Sequence, residues 1–532
     1  MNMDADIVVA GAGHNSLITA AYLAKAGFST VVLDARPIPG GGATTEEPLL
    51  PGYLIDTCSS GHTLIRVNPL LTKDELGLHS RYGLTYTEPD PVGHVAFPDG
   101  EYMTMWRDVD RTCDEISRFS KADAQSYRRL LADYDAVKGA YGGARFTPPG
   151  MGPSLEERLL ELPVGRKFLR IENMSSWDVI RREFEERHVQ AFMLWMAFQT
   201  VQAVDVPGSG SLAYSLIYGR QQRSWSIPMG GSGKLIDGLV SFIEAHGGTV
   251  LSGKRVSRLI IENGRCVGVE TDGGERYRAA KAVVSTIHVK HLIDMAPPDA
   301  WPDDFRYAID TYDIGISNMG IYLAATEPPR FSTHGGTQTA VSAGVVGWPE
   351  DVVRAGRDIR DGKFVHYVPW LLVATPSLVD PSRAPHGHHT VKVLSPQAWQ
   401  LPEGESDWDS LKERHADVQL DYLRKFAPNF TNEVILARAV KSPDDFEHAN
   451  SHMIHGTFHG GDRGTGQSGG RRPAPGYGQY RMPIEGLYQT GGTTHPGGSI
   501  TGAPGRNAAT VLLRDLGTSL EEVLGATASR VG

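Results

Sequence analysis

Near the start of the chain, Gly11-Ala12-Gly13-His14-Asn15-Ser16 sets two glycines, an imidazole, an amide and a hydroxyl within six residues. Asp34 follows 23 residues after Gly11. The chemistry that suits this set is anion binding. Gly11 permits a tight turn, and Gly13 lets backbone approach a phosphate at a helix N-terminus. Asp34 can accept hydrogen bonds from ribose hydroxyls, and its charge would repel a 2′-phosphate, which disfavours NADP. Ser16 stands where a third glycine is usual and is small enough to keep helix and strand close.

These residues need elements to position them. Asp6–Gly11 (DIVVAG) reads as a buried parallel strand, Ser16–Gly27 (SLITAAYLAKAG) as a helix closed by glycine, and Ser29–Ala35 (STVVLDA) as a second strand. Together they form a βαβ unit. Directly after the acid-tipped strand, RPIPGGGATTEE (Arg36–Glu47) places three glycines in a row. Backbone amides in such a turn can approach a second part of a long cofactor, a feature NAD folds do not need.

The stretch Gly11–Asn15, with the turn Gly40-Gly41-Gly42, resembles the flavoprotein superfamily of amine oxidases and carotenoid desaturases. It is most similar to the phytoene-desaturase-like branch, in which the loop often reads G-x-G-H-N. Two distant segments extend the resemblance, which covers the cofactor parts well and the rest loosely. The first is Trp225–Thr286 and the second is Arg481–Leu513, which includes HPGGSITGAPGRNAA. The resemblance implies FAD as cofactor, bound by Gly11, Gly13, His14, Asn15, Ser16, Asp34, Ala35, Arg36, Gly41, Gly42 and Ala43. It also implies Gly491, Gly492, Gly498, Ser499 and Ile500 near the ribityl and pyrophosphate chain. Val256 would lie on the adenine through its backbone, within Lys254-Arg255-Val256. A helix beginning near Gly502 would face the flavin O2 side, where its dipole favours negative charge. GGSGKL is not a Walker loop: Pro228 stands at its first glycine position and Leu235 at its Ser/Thr position. No second G-x-G-x-x-G follows a strand, so a separate NAD(P)H domain is not expected.

The fold class expected is α/β: a Rossmann-like FAD-binding domain assembled from discontinuous segments, residues 1–80, 220–300 and 475–532. An α+β substrate domain with a mixed or antiparallel sheet would take 81–219 and 301–474. His495, in the turn that the resemblance sets beside the flavin, is the first candidate for a catalytic base. A histidine simply hydrogen-bonded to cofactor or backbone is the alternative. His62 is the second candidate, and His14 is read as shaping the phosphate loop. In the apolar helix HVQAFMLWMAFQTVQAV (His188–Val204), Trp195 and Phe198 are either core or the wall of a substrate tunnel, and Trp225 is a further pocket candidate. The histidine-bearing glycine-rich stretch His448–Arg472 suggests a loop over the site.

No metal site is expected. PHGHHT (Pro385–Thr390) has no acidic or cysteine partner, and the three cysteines, Cys58, Cys113 and Cys266, never form C-x-x-C. Cys58 is read as a buried thiol rather than a covalent flavin anchor. A net charge of −10 gives no footprint for nucleic acid. No leader pattern and no apolar run long enough to span a membrane are seen. Cysteine usage suggests the cytoplasm, with peripheral membrane attachment and homo-oligomerisation left open. The function expected is FAD-dependent dehydrogenation, oxidation or desaturation of a largely apolar small molecule, with hydride passing from a C–H bond to flavin N5. Oxygen, a quinone or a protein could each serve as electron acceptor. A carotenoid desaturase or isomerase is the alternative within the enzymes. A flavin-fold carrier of a hydrophobic or prenylated partner is the alternative outside them.

Overall fold

The computed structural model describes residues 2–525. The last residues of the expected third cofactor segment, 526–532, therefore lie outside the described residues. Two seven-stranded sheets dominate the fold. In the first, Asn2–Ala10 lies at the centre, parallel to Thr30–Leu33 on one side and to Arg276–Ser285 on the other. Thr249–Leu251 extends it beyond Thr30–Leu33, and Leu487–Gln489 pairs in parallel with Arg276–Ser285. The hairpin Val256–Glu262 and Arg265–Thr271 adds an antiparallel edge. Strands from three distant parts of the chain thus share one sheet.

The helix His14–Lys25 follows the first strand and is buried from Asn15 through Ala24. A sequence so rich in Ala, Leu and small polar residues suits a helix covered on every side. It packs between the helices Gly233–Ala245 and Ala503–Asp515. Gly505 makes the second contact possible. A Cβ there would stand 2.3 Å from the Asn15 carbonyl oxygen. Thr19 Oγ1 bridges the two helices, 3.1 Å from the Asn15 carbonyl oxygen and 2.9 Å from that of Gly505.

The second sheet runs Ile435–Lys441, Asn318–Ala325, His389–Pro396, Trp370–Ala374, Ser342–Val346, Gly93–Ala96, Tyr102–Met105. All its pairings are antiparallel except Ser342–Val346 with Gly93–Ala96, so the sheet is mixed. A layer of helices between residues 109 and 223 covers part of it. Arg187–Ala197 carries the apolar run seen in sequence and buries Val189 and Ala191 through Ala197. The Trp195 indole donates to the Leu371 carbonyl (2.9 Å), and Gly344 gives it room, because a Cβ there would lie 2.5 Å from the indole nitrogen. Burying such a side chain removes ~150–250 Å² from water and contributes roughly 4–6 kcal/mol.

Among the described residues, no helix is long and apolar enough to cross a membrane, and no group of His, Cys, Asp and Glu could hold a metal.

Candidate functional site

One large cavity joins the two sheets. Its volume is about 290 Å³, at the lower edge of the ~300–1,000 Å³ of an ordinary small-molecule pocket, and it opens to solvent. One end is walled by Gly11, Gly13, His14, Asn15, Asp34, Ala35, Arg36, Gly41 and Gly42, joined by Gly491, Gly492, Gly498, Ser499 and Ile500 from the far end of the sequence. The other end is walled by Val201, Leu216, Trp225, Leu372, Leu394 and Phe458, with Arg220 and Lys392 among them.

The residues at the first end fit a dinucleotide. Gly13 begins the helix His14–Lys25, has no side-chain cap, and no acidic residue occupies the first turn. The first-turn amides therefore lack an internal partner and favour an anion. A Cβ on Gly13 would meet nothing within 4 Å, so packing does not demand glycine there. The space beside it is open and faces the cavity. Gly11 is different: its φ is +99°, and a Cβ would collide with Thr286. The Asp34 carboxylate accepts the Ala12 and Arg36 amides at 2.7 and 2.8 Å, which aims it across the loop and leaves lone pairs toward the cavity. Burial raises its pKa, and the two amide bonds and the Arg36 charge oppose that rise. Arg36 donates to the Gly41 carbonyl and pairs with Glu46, so it ties the glycine turn to the acid-tipped strand.

The motif residues His14 and Asn15 have distinct jobs. Asn15 sits 3.0 Å from the His14 ring, and its side-chain oxygen accepts the Gly505 amide at 3.3 Å. This joins the first helix to the last. His14 reaches the cavity wall; burial lowers its pKa to about 4, partly offset by a hydrogen bond to Ser499. It is a neutral imidazole at neutral pH.

Comparison with known proteins agrees with this geometry. The sequence pattern described as "flavin containing amine oxidoreductase" matches residues 17–513. The chain belongs to this family. It is an FAD-dependent oxidoreductase. Across 96% of its length it is 28% identical to "pyridine nucleotide-disulfide oxidoreductase domain-containing protein 2" of Rattus norvegicus, covering 94% of that protein. It is 26% identical to a subunit of the limonene dehydrogenase of Castellaniella defragrans, with 97% and 95% of the two chains covered. It is also 26% identical to "phytoene desaturase (lycopene-forming)" of Pseudescherichia vulneris, with 96% and 99% covered.

Several residues named from sequence stand away from the wall of this flavoenzyme's cavity. Ser16 lies under the loop, its hydroxyl 2.6 and 2.9 Å from the Gly11 and Gly13 carbonyls; it braces the turn from behind. Ala43 is fully buried beside the glycine turn, with its amide on the Gly40 carbonyl. Val256 is turned into the core below the first sheet, and its neighbour Arg255 borders the cavity instead. His62 does not reach the cavity. Its ring is held by Ser232 Oγ (2.9 Å) and Tyr86 OH (3.2 Å), and burial lowers its pKa to about 3. His495 bonds the Ala144 carbonyl through Nε2 (3.0 Å) and is lowered by burial to about 4. His62 is fully buried and His495 half-buried, and neither lines the cavity. Trp195 and Phe198 belong to the core, Phe198 edge-on against Trp370. Trp225 alone of the three aromatic candidates lines the cavity.

Sequence reasoning missed other wall residues. Cys58, Ser59, Ser60 and Gly61 form one side, and Trp225 packs on Gly61 so tightly that a Cβ would fall 2.0 Å from its indole nitrogen. Burial raises the Cys58 thiol to about 11, which leaves it unreactive. Lys392 is buried, and its ammonium donates to the Cys58 carbonyl (2.6 Å), Ser60 Oγ (2.7 Å) and the Asp56 carbonyl (3.1 Å). Burial lowers its pKa to about 8, opposed by the charge of Asp56. A lysine inside the apolar run HTVKVLSP was the available signal. His452 and His459 also line the wall, both neutral because burial lowers them to about 4 and about 3.

Proposed function

We propose that this flavoenzyme oxidises a largely apolar small molecule by taking a hydride from one of its C–H bonds. The observation that carries this reading is the continuity of one cavity from the Gly11–Gly13 loop to the wall of Val201, Leu216, Leu372, Leu394 and Phe458. When bound, FAD supplies an N5 position that accepts the hydride. The first-turn amides at Gly13 hold its pyrophosphate, Asp34 takes a ribose hydroxyl, and Arg255 borders the adenosine. Gly498, Ser499 and Ile500 close on the cofactor from the C-terminal side. Lys392 holds the Cys58–Ser60 backbone against the cavity, and the Trp225 indole on Gly61 excludes water from that side. On this reading the cofactor half comprises residues 1–80, 220–300 and 475–532, and the substrate half 81–219 and 301–474.

Limonene dehydrogenase among the relatives supports oxidation of a compact hydrocarbon-like body. The phytoene desaturases favour a second reading, desaturation of a long polyene. The test is direct. Purified protein should absorb at about 450 nm, the flavin band, and bleach anaerobically with a substrate. Bleaching by cyclic terpenes or their alcohols, with none by phytoene, supports the first reading. The reverse pattern supports the second, and a colourless protein that takes up no FAD would overturn both.

A further inference from the structure

Arg220 lies on the helix Leu212–Arg223, which turns Ser215, Leu216, Gly219 and Arg220 toward the cavity along one face. Its side chain is almost completely buried. One terminal nitrogen, NH2, donates to Gln199 Oε1 (2.5 Å) and Ser342 Oγ (2.8 Å), both neutral. The other, NH1, is shut off from solvent and has no hydrogen-bond partner among the described residues. The Trp225 ring centre stands 4.9 Å from the guanidinium carbon. No ion pair forms at Arg220 among the described residues, although arginines elsewhere in the chain are commonly paired. Burial lowers its pKa to about 9, and no acid opposes the shift.

A second buried cation stands over the same sheet face. Ser342 pairs with Ala374, and Ala374 pairs with Lys392, so the anchor of Arg220 and the base of Lys392 occupy one row across three strands. Side chains in one such row point to the same face, and strands two apart are separated by about 10 Å. Leu372 and Leu394, two residues along, share that face and line the cavity. The only carboxylate in the wall among the described residues is Asp34, at the nucleotide end and engaged with two amides. The wall at the substrate end therefore carries two buried cations and no acid; Lys392 has the charge of Asp56 behind the wall, whereas Arg220 has no acid near it. A buried charge without a counter-charge is costly, and a bound anion removes that cost.

Resting on the hydride-transfer reading above, we propose that the substrate carries a carboxylate on its apolar body, and that Arg220 supplies the counter-charge that seats it. The oxidised C–H bond then belongs to an organic acid rather than to a plain hydrocarbon. Arg220 is a specificity residue in this role, and it takes no part in the bond changes.

Calorimetric titration of the FAD-loaded protein with matched pairs tests this without turnover: octanoate against octanamide, and phenylacetate against phenylacetamide. At least one acid should bind about tenfold or more tightly than its amide. Arg220→Gln should abolish the preference, bringing the acid and its amide to the same affinity, whereas Arg220→Lys, which keeps the charge, should retain part of it. Equal binding of acid and amide in both pairs, no binding of either acid, or a preference that survives Arg220→Gln would overturn the proposal. A variant that instead makes the flavin harder to reduce, in a wild type without acid preference, would assign the counter-charge to the cofactor and also overturn it. The wild-type comparison stands even where a variant fails to fold. Failure of hydride transfer is read separately, as FAD-loaded protein that is bleached anaerobically by none of the terpenes, their alcohols, phytoene or the acids that bind.

Discussion

Arg383 and Asp56 meet in a fully buried ion pair, with NH2 2.5 Å from Oδ2 and NH1 3.2 Å from Oδ1. The third guanidinium nitrogen, Nε, reaches Asp380 at 3.1 Å. Asp56 also accepts the Ser232 amide and the Thr45 hydroxyl, and Asp380 accepts the Gly230 amide. One guanidinium thus joins the segment beyond the glycine turn to the loop between two strands of the second sheet, and fixes the approach to the helix Gly233–Ala245.

Arg383→Met should therefore cost about 3–5 kcal/mol, because it removes from two buried carboxylates the guanidinium that both of them bond. Urea unfolding reads the loss. The double variant with Asp56→Asn should lose less than the sum of the two single changes. A drop under about 1 kcal/mol in Arg383→Met would show that the pair does not hold the sheets together.

Gly11 and Gly13 should separate fold from cofactor. Gly11→Ala places a Cβ 2.4 Å from Thr286 Cγ2 at a φ of +99°, so it should destabilise the protein by about 1–3 kcal/mol. Gly13→Val has φ near −73° and open space, so thermal stability without FAD should stay close to wild type. FAD affinity should fall by about tenfold or more, since the side chain fills the phosphate approach. Equilibrium dialysis of FAD checks this. Undiminished affinity in Gly13→Val would mean the pyrophosphate binds elsewhere.

Gly505→Ala should loosen the junction of the first and last helices, with an overpacking cost of about 1–3 kcal/mol. The strain falls on the Asn15 carbonyl, so FAD release should quicken along with unfolding. A change in stability alone, with FAD release untouched, would show that the helix junction does not bear on the cofactor loop.

The same residues show what sequence could convey. Gly11, Gly13 and Asp34 were legible because their work is local: a turn, a helix start and a strand end within one βαβ unit. The contact of Asn15 with Gly505 spans 490 positions, and nothing at either end announces it. Trp195 and Phe198 show the limit of composition, since an aromatic in an apolar helix reads alike as core or tunnel. Only the close fit of the indole over Gly344 decides for core. Nothing in SLIYGRQQRSW sets Arg220 apart from Arg223, and its isolation is a property of tertiary packing. His62 and His495 had motif neighbours near the cofactor, but their side chains turn to Ser232 and the Ala144 carbonyl.

Acid should unfold this protein well above the carboxylate range. Burial holds His62 and His459 at about 3, and His14, His452 and His495 at about 4. In the unfolded chain each protonates near the ordinary value of about 6.5. Between these limits the unfolded state binds more protons, so stability falls as pH drops below 6.5, by about 1.4 kcal/mol per pH unit for each such histidine. From about a unit above 6.5 all five are neutral in both states and contribute almost no slope. Urea midpoints should therefore hold between pH 7 and 8 and collapse between 6.5 and 5. His495→Gln can keep a donor to the Ala144 carbonyl and should lower the fitted proton uptake by about one. Stability that stays level from pH 6.5 to 5 would mean that these imidazoles protonate within the fold, and that the cavity admits far more water than its packing suggests.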